Sequence, residues 1–293
     1  MQNHKIIFDE WINFRLRPKY PPMPPSHEGQ YLEHFFYDFY QQNKRDDIEY
    51  IPVFWTSYID NPKHGFKVPS KKYLQQKLNS LDENKEYFTV IQSSNGIDFK
   101  LPANTKVFSC ASKGVYWPIQ AKEIIPIPLV GKPLINMEKE KDVLCSFVGS
   151  NTHTCREKLK ACMSGKKDVV FKMGKWDFSF PREKVRYFNN IIHRSKFTLC
   201  PRGFGPTSYR LYEAMQAGSV PVYIYDDAWL PYEKDIPWNE LCVMIHVDDV
   251  QNTYQIIKSK SDAEVNNYLL KIKKYYKQYF TFDGICSQIL KML

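Results

Sequence analysis

Three observations predict that this chain folds as two α/β domains facing each other across a cleft. Its 293 residues are enough for two domains of ordinary size. Short β-rich apolar runs alternate with helical periodicities, the pattern of parallel β/α units. The alternation stops at a polar stretch with Gly and Pro, "GKPLINMEKEKD" (131–142), and then restarts. The expected division is one α/β domain over 1–135, a second over 136–260, and a C-terminal helix over 261–293 that packs back on the first.

Taken in order, "PKYPPMPPSHE" (18–28) is too rich in Pro for helix or central strand and reads as a loop. "YLEHFFYDFYQQN" (31–43) has amphipathic helical spacing. "IEYIPVFWTSYI" (48–59) is a β-rich apolar run. A helix over 69–84 places Tyr73, Leu74, Leu78 and Leu81 at helical spacing, and "YFTVIQ" (87–92), "KVFSC" (106–110) and "EIIPIPL" (123–129) read as strands. Beyond the linker, strands are expected at 143–150, 168–174, 196–201, 220–226 and 241–247. Helices are expected at 154–165, 182–195, 208–218 and 261–280, with Gly165 and Gly218 as helix stops. Ligands of such sheets sit at the carboxyl ends of the strands, so the cleft between the domains is the expected reaction site.

Composition excludes several classes. Lys and Arg number 41 against 32 Asp and Glu, a net charge of +9, but the basic residues are scattered. A diffuse excess suits an anionic small molecule without requiring one. No aromatic–basic recognition motif or zinc finger supports a nucleic-acid partner. Seven Cys with no CxxC pair, several in apolar runs, fit buried free thiols in a reducing compartment. No stretch approaches the ~20 apolar residues of a membrane span and the N-terminus lacks an apolar signal core, so a soluble, cytoplasmic chain is expected. Aromatics reach 15%, which serves core packing or sugar stacking.

The chemistry concentrates between Ser195 and Trp238. A buried strand runs into "PRGFGPTS", where Gly203 and Gly205 permit close approaches, and Ser208 or Thr207 caps the next helix. A glycine loop opening a helix is a ready anion site. Arg210 lies in that helix's first turn, an unfavourable place for a lone cation, and an anion there would resolve it. Glu213, one turn on, is placed to accept hydrogen bonds from a ribose diol. The alternative is that Arg210 and Glu213 form an i,i+3 salt bridge and Gly203 is a turn.

This stretch resembles the signature of the exostosin family of glycosyltransferases. The likeness is carried by Ser195, Phe197, Leu199, Cys200, Pro201 and Gly203, then Ser208, Arg210, Glu213 and Ala214, then Gly218, Pro221, Val222, Leu230, Pro231 and Trp238. "FVGS" (147–150) followed by Arg156 resembles the family's first strand–loop–helix of the donor lobe. The front-lobe strands resemble the family more loosely, and residues 1–30 not at all. The compact length is similar to that of short members found in large DNA viruses of algae.

The resemblance implies a GT-B fold, a nucleotide-sugar donor (most often a UDP-sugar) as co-substrate with no further cofactor, and inversion at the anomeric carbon. It implies an oligosaccharide or glycoprotein glycan as acceptor, held by the first domain, and a donor held by the second. By position, Ser208 and Arg210 would contact the diphosphate and Glu213 the ribose, while Gly149, Ser150 and Arg156 would face the leaving phosphates. Arg202 and Gly203 complete the expected donor site. No spaced DxD motif is present, since "YDD" and "VDD" hold adjacent pairs, so transfer without a metal is expected. A base that deprotonates the acceptor is sought at strand ends of the first domain, where Asp98, Asp60 and His64 are the candidates. Trp55, Tyr58, Tyr116 and Trp117 would form an acceptor platform, and Trp176 or Phe178 would wall the nucleobase. A non-catalytic nucleotide- or glycan-binding module and a phosphate-handling enzyme are the competing readings.

Overall fold

The computed structural model describes residues 9–22, 27–176 and 181–293. The first lobe contains α1 (Leu32–Gln42), β1 (Glu49–Tyr50), α2 (Trp55–Asp60), α3 (Lys71–Asn79), β2 (Tyr87–Ile91), β3 (Thr105–Ser109) and β4 (Glu123–Pro126). Its four strands lie parallel in the order β1-β2-β3-β4. The second lobe contains β5 (Val143–Ser150), α4 (Thr154–Met163), β6 (Val169–Gly174), α5 (Arg182–Arg194), β7 (Ser195–Pro201), α6 (Tyr209–Gln216), β8 (Val220–Tyr225), α7 (Trp238–Leu241), β9 (Val243–His246) and α8 (Thr253–Lys258). All pairings in its five-stranded sheet are parallel, in the order β6-β5-β7-β8-β9. The order reverses at β5, so a crevice opens where the chain leaves β5 and β7 toward opposite sides. Two helices close the chain, α9 (Asp262–Tyr279) and α10 (Phe282–Met292).

The expected run of strand at 48–59 is corrected: only Glu49 and Tyr50 pair with β2, and from Trp55 the chain is helix α2. Pro52 removes a ladder donor there. The run is apolar because α2 is buried, with Trp55 donating its Nε1–H to Thr89 Oγ1 at 2.8 Å. A buried helix and a buried strand leave the same continuous apolar signature. The expected tail helix is two helices, broken near Phe280, where Thr281 Oγ1 caps α10 through the Gly284 N–H at 3.1 Å.

Three apolar clusters hold the molecule. One fills the first lobe around Trp55, Leu74 and Val107, and one fills the second around Phe147, Phe197, Leu199 and Val222. The third joins the lobes: Leu32, Phe36 and Phe108 pack with Leu211, Tyr212, Trp238, Phe280 and Ile289. The chain's end lies on the first lobe, with Phe282 stacked on Phe35 at 4.1 Å between centroids. Buried Phe280 meets both Tyr212 on α6 and Trp238 on α7. Every cysteine is free, and six of the seven are buried. No helix among the described residues is long and apolar enough to cross a membrane.

Phe280→Ala should lower unfolding free energy by about 3–5 kcal/mol, the usual loss for a buried phenyl. Urea denaturation measures it, and a loss below about 1 kcal/mol would mean that the tail contributes little to joining the lobes.

Candidate functional site

Between the lobes lies a cleft of about 1000 Å³. Ser94, Ala111 and Leu129 line it from the first lobe, at or beyond strand ends, and the ends of β5 and β6 with the loop entering α6 line it from the second. Gly149, Ser150, Arg156, Gly203, Ser208, Arg210 and Glu213 all stand on its wall. Residues spread over 65 positions of sequence meet there because β5 and β7 are neighbours in the sheet.

Helix α6 begins at Tyr209, with Ser208 extended (φ −151°, ψ 144°) and its Oγ accepting the Arg210 N–H at 3.3 Å. Arg210 Nε donates to Glu213 Oε2 at 2.8 Å and Nη1 donates to the Val148 carbonyl at 2.8 Å, while its guanidinium lies 4.2 Å over the Phe188 ring. The i,i+3 pair raised as the bland alternative therefore exists, and it sits on the cleft wall. Glu213 is nearly fully buried, and its Oε1 has no hydrogen-bond partner among the described residues. A buried carboxylate oxygen left in that state favours a donor from outside the chain.

Arg156 is 7% exposed and lies on α4 behind the same loop. Its Nη1 donates to Ser150 O at 2.6 Å, its Nε to Arg202 O at 2.9 Å and its Nη2 to Pro201 O at 3.3 Å. One guanidinium thus ties the end of β5 to the end of β7. No carboxylate pairs with it among the described residues; burial, then the neighbouring Arg210 charge, pushes its pKa down to about 10. Two guanidinium groups and one carboxylate leave this corner of the cleft short of negative charge.

The glycines earn their places by close approach. A Cβ on Gly205 would lie 2.8 Å from Ala111 O and 3.1 Å from Ser94 Cβ, so the loop presses directly on the first lobe. A Cβ on Gly149 would meet the Phe147 ring at 2.9 Å. Thr152 and Thr207, on the same wall, each hold a buried hydroxyl without a partner among the described residues. Thr207 appeared in the sequence as a helix cap, but Ser208 takes that role.

Four sequence expectations are corrected. Arg202 turns from the cleft to Asp226, with Nη1 2.6 and 2.7 Å from its carboxylate oxygens; burial raises that carboxyl, but the Arg202 bond and charge together with backbone N–H groups hold it below the usual range. Asp98 pairs with Lys71 on α3. Asp60 ends helix α2 rather than a strand and pairs with Lys63 at 2.8 Å. His64 stacks on Tyr20 at 4.1 Å. None of the four lines the cleft. A carboxylate that the first lobe does place on the wall is Glu28, 3.4 Å from Lys132. It is the last residue of the Pro-rich stretch 18–28, where periodicity gave no reason to seek a functional group. Trp176 lies on the wall beside β6 with Tyr187, whereas Phe178 falls outside the described residues. Trp55 and Tyr58 are buried in the first-lobe core and form no platform.

The exostosin GT47 domain matches residues 62–260. Among curated relatives, the probable glucuronosyltransferase GUT1 of rice is 44% identical over 82 residues, 28% of this chain and 20% of that protein. The probable glucuronoxylan glucuronosyltransferase F8H of Arabidopsis thaliana is 34% identical over 85 residues, 29% of this chain and 18% of its own. The probable beta-1,4-xylosyltransferase IRX10 of the same plant is 43% identical over 68 residues, covering 23% and 16%. The match thus spans one fifth or less of each relative's length. Among solved structures, the sucrose-phosphate synthase of Thermosynechococcus elongatus overlays with a TM-score of 0.47 at 11% identity, covering 89% of this chain and 77% of that one. This chain belongs to the exostosin GT47 family, and its two facing parallel sheets have the GT-B architecture that the sequence predicted.

Arg156→Met should lower unfolding free energy by on the order of 3 kcal/mol, because three carbonyls lose their donor. Chemical denaturation checks it; an unchanged midpoint would show that water replaces the guanidinium without loss.

Proposed function

We propose that this exostosin-family chain transfers a sugar from a nucleotide-sugar donor, a UDP-sugar, to a hydroxyl of a glycan acceptor with inversion at the anomeric carbon. The observation that carries the reading is the charge of the cleft corner: Arg156 and Arg210 against the single carboxylate of Glu213, at the mouth of a glycine loop opening helix α6. A diphosphate supplies the missing negative charge, and the first N–H groups of α6 face it. The relatives' names, glucuronosyl- and xylosyltransferases, agree with a nucleotide-sugar donor.

In this reading Arg210 stabilises the leaving nucleoside diphosphate as the bond to the anomeric carbon breaks. Glu213 and Val148 hold the guanidinium in place beforehand, so little reorganisation is required during the reaction. Arg156 adds positive potential and fixes Gly149 and Ser150 beside Gly203. Glu213 keeps Arg210 on Oε2 and accepts a hydrogen bond from a ribose hydroxyl on Oε1. Trp176 and Tyr187, on the wall beside β6, enclose the nucleobase. The acceptor hydroxyl attacks from the first-lobe side and gives its proton to Glu28, which lies 3.4 Å from Lys132. The cationic work falls to Arg210 and the α6 N-terminus rather than to a metal ion.

A thermal-shift panel of nucleotides and nucleotide-sugars tests the donor, because a specific ligand raises the melting temperature by mass action. UDP or a UDP-sugar should stabilise and adenine nucleotides should not. Release of UDP only when an acceptor is present would separate a transferase from a binding module. Arg210→Ala should reduce turnover by about 100-fold in a folded protein. An unchanged rate contradicts its role. Glu213→Ala should chiefly raise the donor KM; a fall in melting temperature alone would return Glu213 to a salt-bridge residue.

A further inference from the structure

At the mouth of the cleft, two loops from different lobes bring exposed rings together. Tyr116, 62% exposed, stands on the loop after β3, and Phe204, 40% exposed, on the loop after β7. Their centroids are 5.0 Å apart with planes at 49°. Val115, also exposed, continues the apolar surface. Such a paired apolar surface in water is unfavourable unless something covers it.

The ledge is built rigidly. Val115 N–H donates to Ser94 O at 2.9 Å, and the N–H groups of Tyr116 and Trp117 both donate to Asn95 O, at 3.1 and 2.9 Å. Ser112 Oγ donates to Ser94 O at 2.8 Å and accepts the Gly114 N–H at 2.9 Å. Gly96 and Gly114 have φ of +94° and +100°, and a Cβ on either would lie 1.8 or 2.1 Å from the Trp117 carbonyl. Only glycine fits both places. The backbone under Tyr116 is therefore fixed before any ligand arrives. Phe204 is held equally, between Gly203, whose N–H donates to Thr207 O at 3.1 Å, and Gly205, pressed against Ala111 and Ser94.

We propose that Tyr116 and Phe204 form a stacking subsite for a sugar ring of an oligosaccharide acceptor. The inference rests on the transferase reading above. Its particular support is continuity: Phe204 and Ser94 line the donor cleft itself, so a chain of sugars lying on the ledge reaches directly into it. The CH-bearing face of a pyranose matches an exposed ring, and a pre-fixed ring loses little conformational entropy on contact. Exposed Lys113 and half-buried Ser93, on the loops that carry the ledge, suit a ligand with apolar faces and hydroxyl edges better than a dry protein interface.

The test uses the full chain. An array of β-1,4-xylan, β-1,4-glucan and N-acetyllactosamine oligosaccharides identifies what wild type retains. Calorimetry then compares that oligosaccharide and UDP on wild type, Tyr116→Ala, Phe204→Ala and Tyr116→Phe. Each Ala variant should weaken the oligosaccharide about tenfold, while Tyr116→Phe keeps it and the UDP affinities of both Tyr116 variants stay within about twofold. Oligosaccharide binding unaffected by both Ala variants overturns the ledge and leaves the donor reading intact. So does retention of no oligosaccharide by a chain that binds UDP. Loss of UDP binding in both Ala variants overturns a subsite separable from the donor cleft. Failure of wild type to bind UDP counts against the transferase reading itself.

Discussion

Two guanidinium groups held at neighbouring strand ends, with one carboxylate between them, are the constraint around which the second lobe is arranged. Arg156 donates to three backbone carbonyls and is held in place by them. Arg210 is spent partly on Glu213 and Val148, keeping donor capacity toward the cleft. The strand order that makes β5 and β7 neighbours is what brings these groups together. Removing charge from water in this way is unfavourable without compensation. The fold carries that penalty through exact placement of α4 and α6, each capped at its first turn by His153 and Ser208. An anionic ligand then meets a site whose arrangement is already in place.

The first lobe plays a different part. It contributes few charges to the cleft and many rigid loops, tied by backbone hydrogen bonds at the ends of β2 and β3. Tyr209 at the start of α6 accepts a hydrogen bond from Gln92 Nε2 at 2.8 Å, so the helix on the cleft wall is also anchored across the cleft. Behind it, fully buried Glu33 accepts from the Thr56 and Gln92 N–H groups, at 3.1 Å each, fixing the α2 start to the end of β2. The tail helices add the apolar seam. The lobes are thereby held at a set spacing by Tyr209 on the cleft wall and by side chains packed behind it.

Much of this was legible in the sequence, for identifiable reasons. The second lobe alternates cleanly because its central strands β7 and β8 are buried on both faces and its helices are amphipathic, so 143–225 read close to the observed boundaries. The loop from Pro201 to Ser208 was legible because glycine before a cap has few other meanings. The first lobe was harder. Pro52 and a fully buried helix made 48–59 look like strand, and that error placed Asp60 at a strand end it does not occupy. Asp98 and Arg202 were plausible by position alone, and only side-chain direction, set by Lys71 and Asp226, takes them away. Glu28 and Phe204 carry no periodic signal, because a loop's contribution to a cleft depends on what folds opposite it.

The central claim is that the loop from Pro201 into α6 cradles a diphosphate against Arg210. A crystal structure of the chain soaked with UDP tests it most directly. The account predicts both phosphates in density beside the Arg210 guanidinium and the first N–H groups of α6. Density for the nucleotide elsewhere, or this corner filled by rearranged side chains, would contradict it.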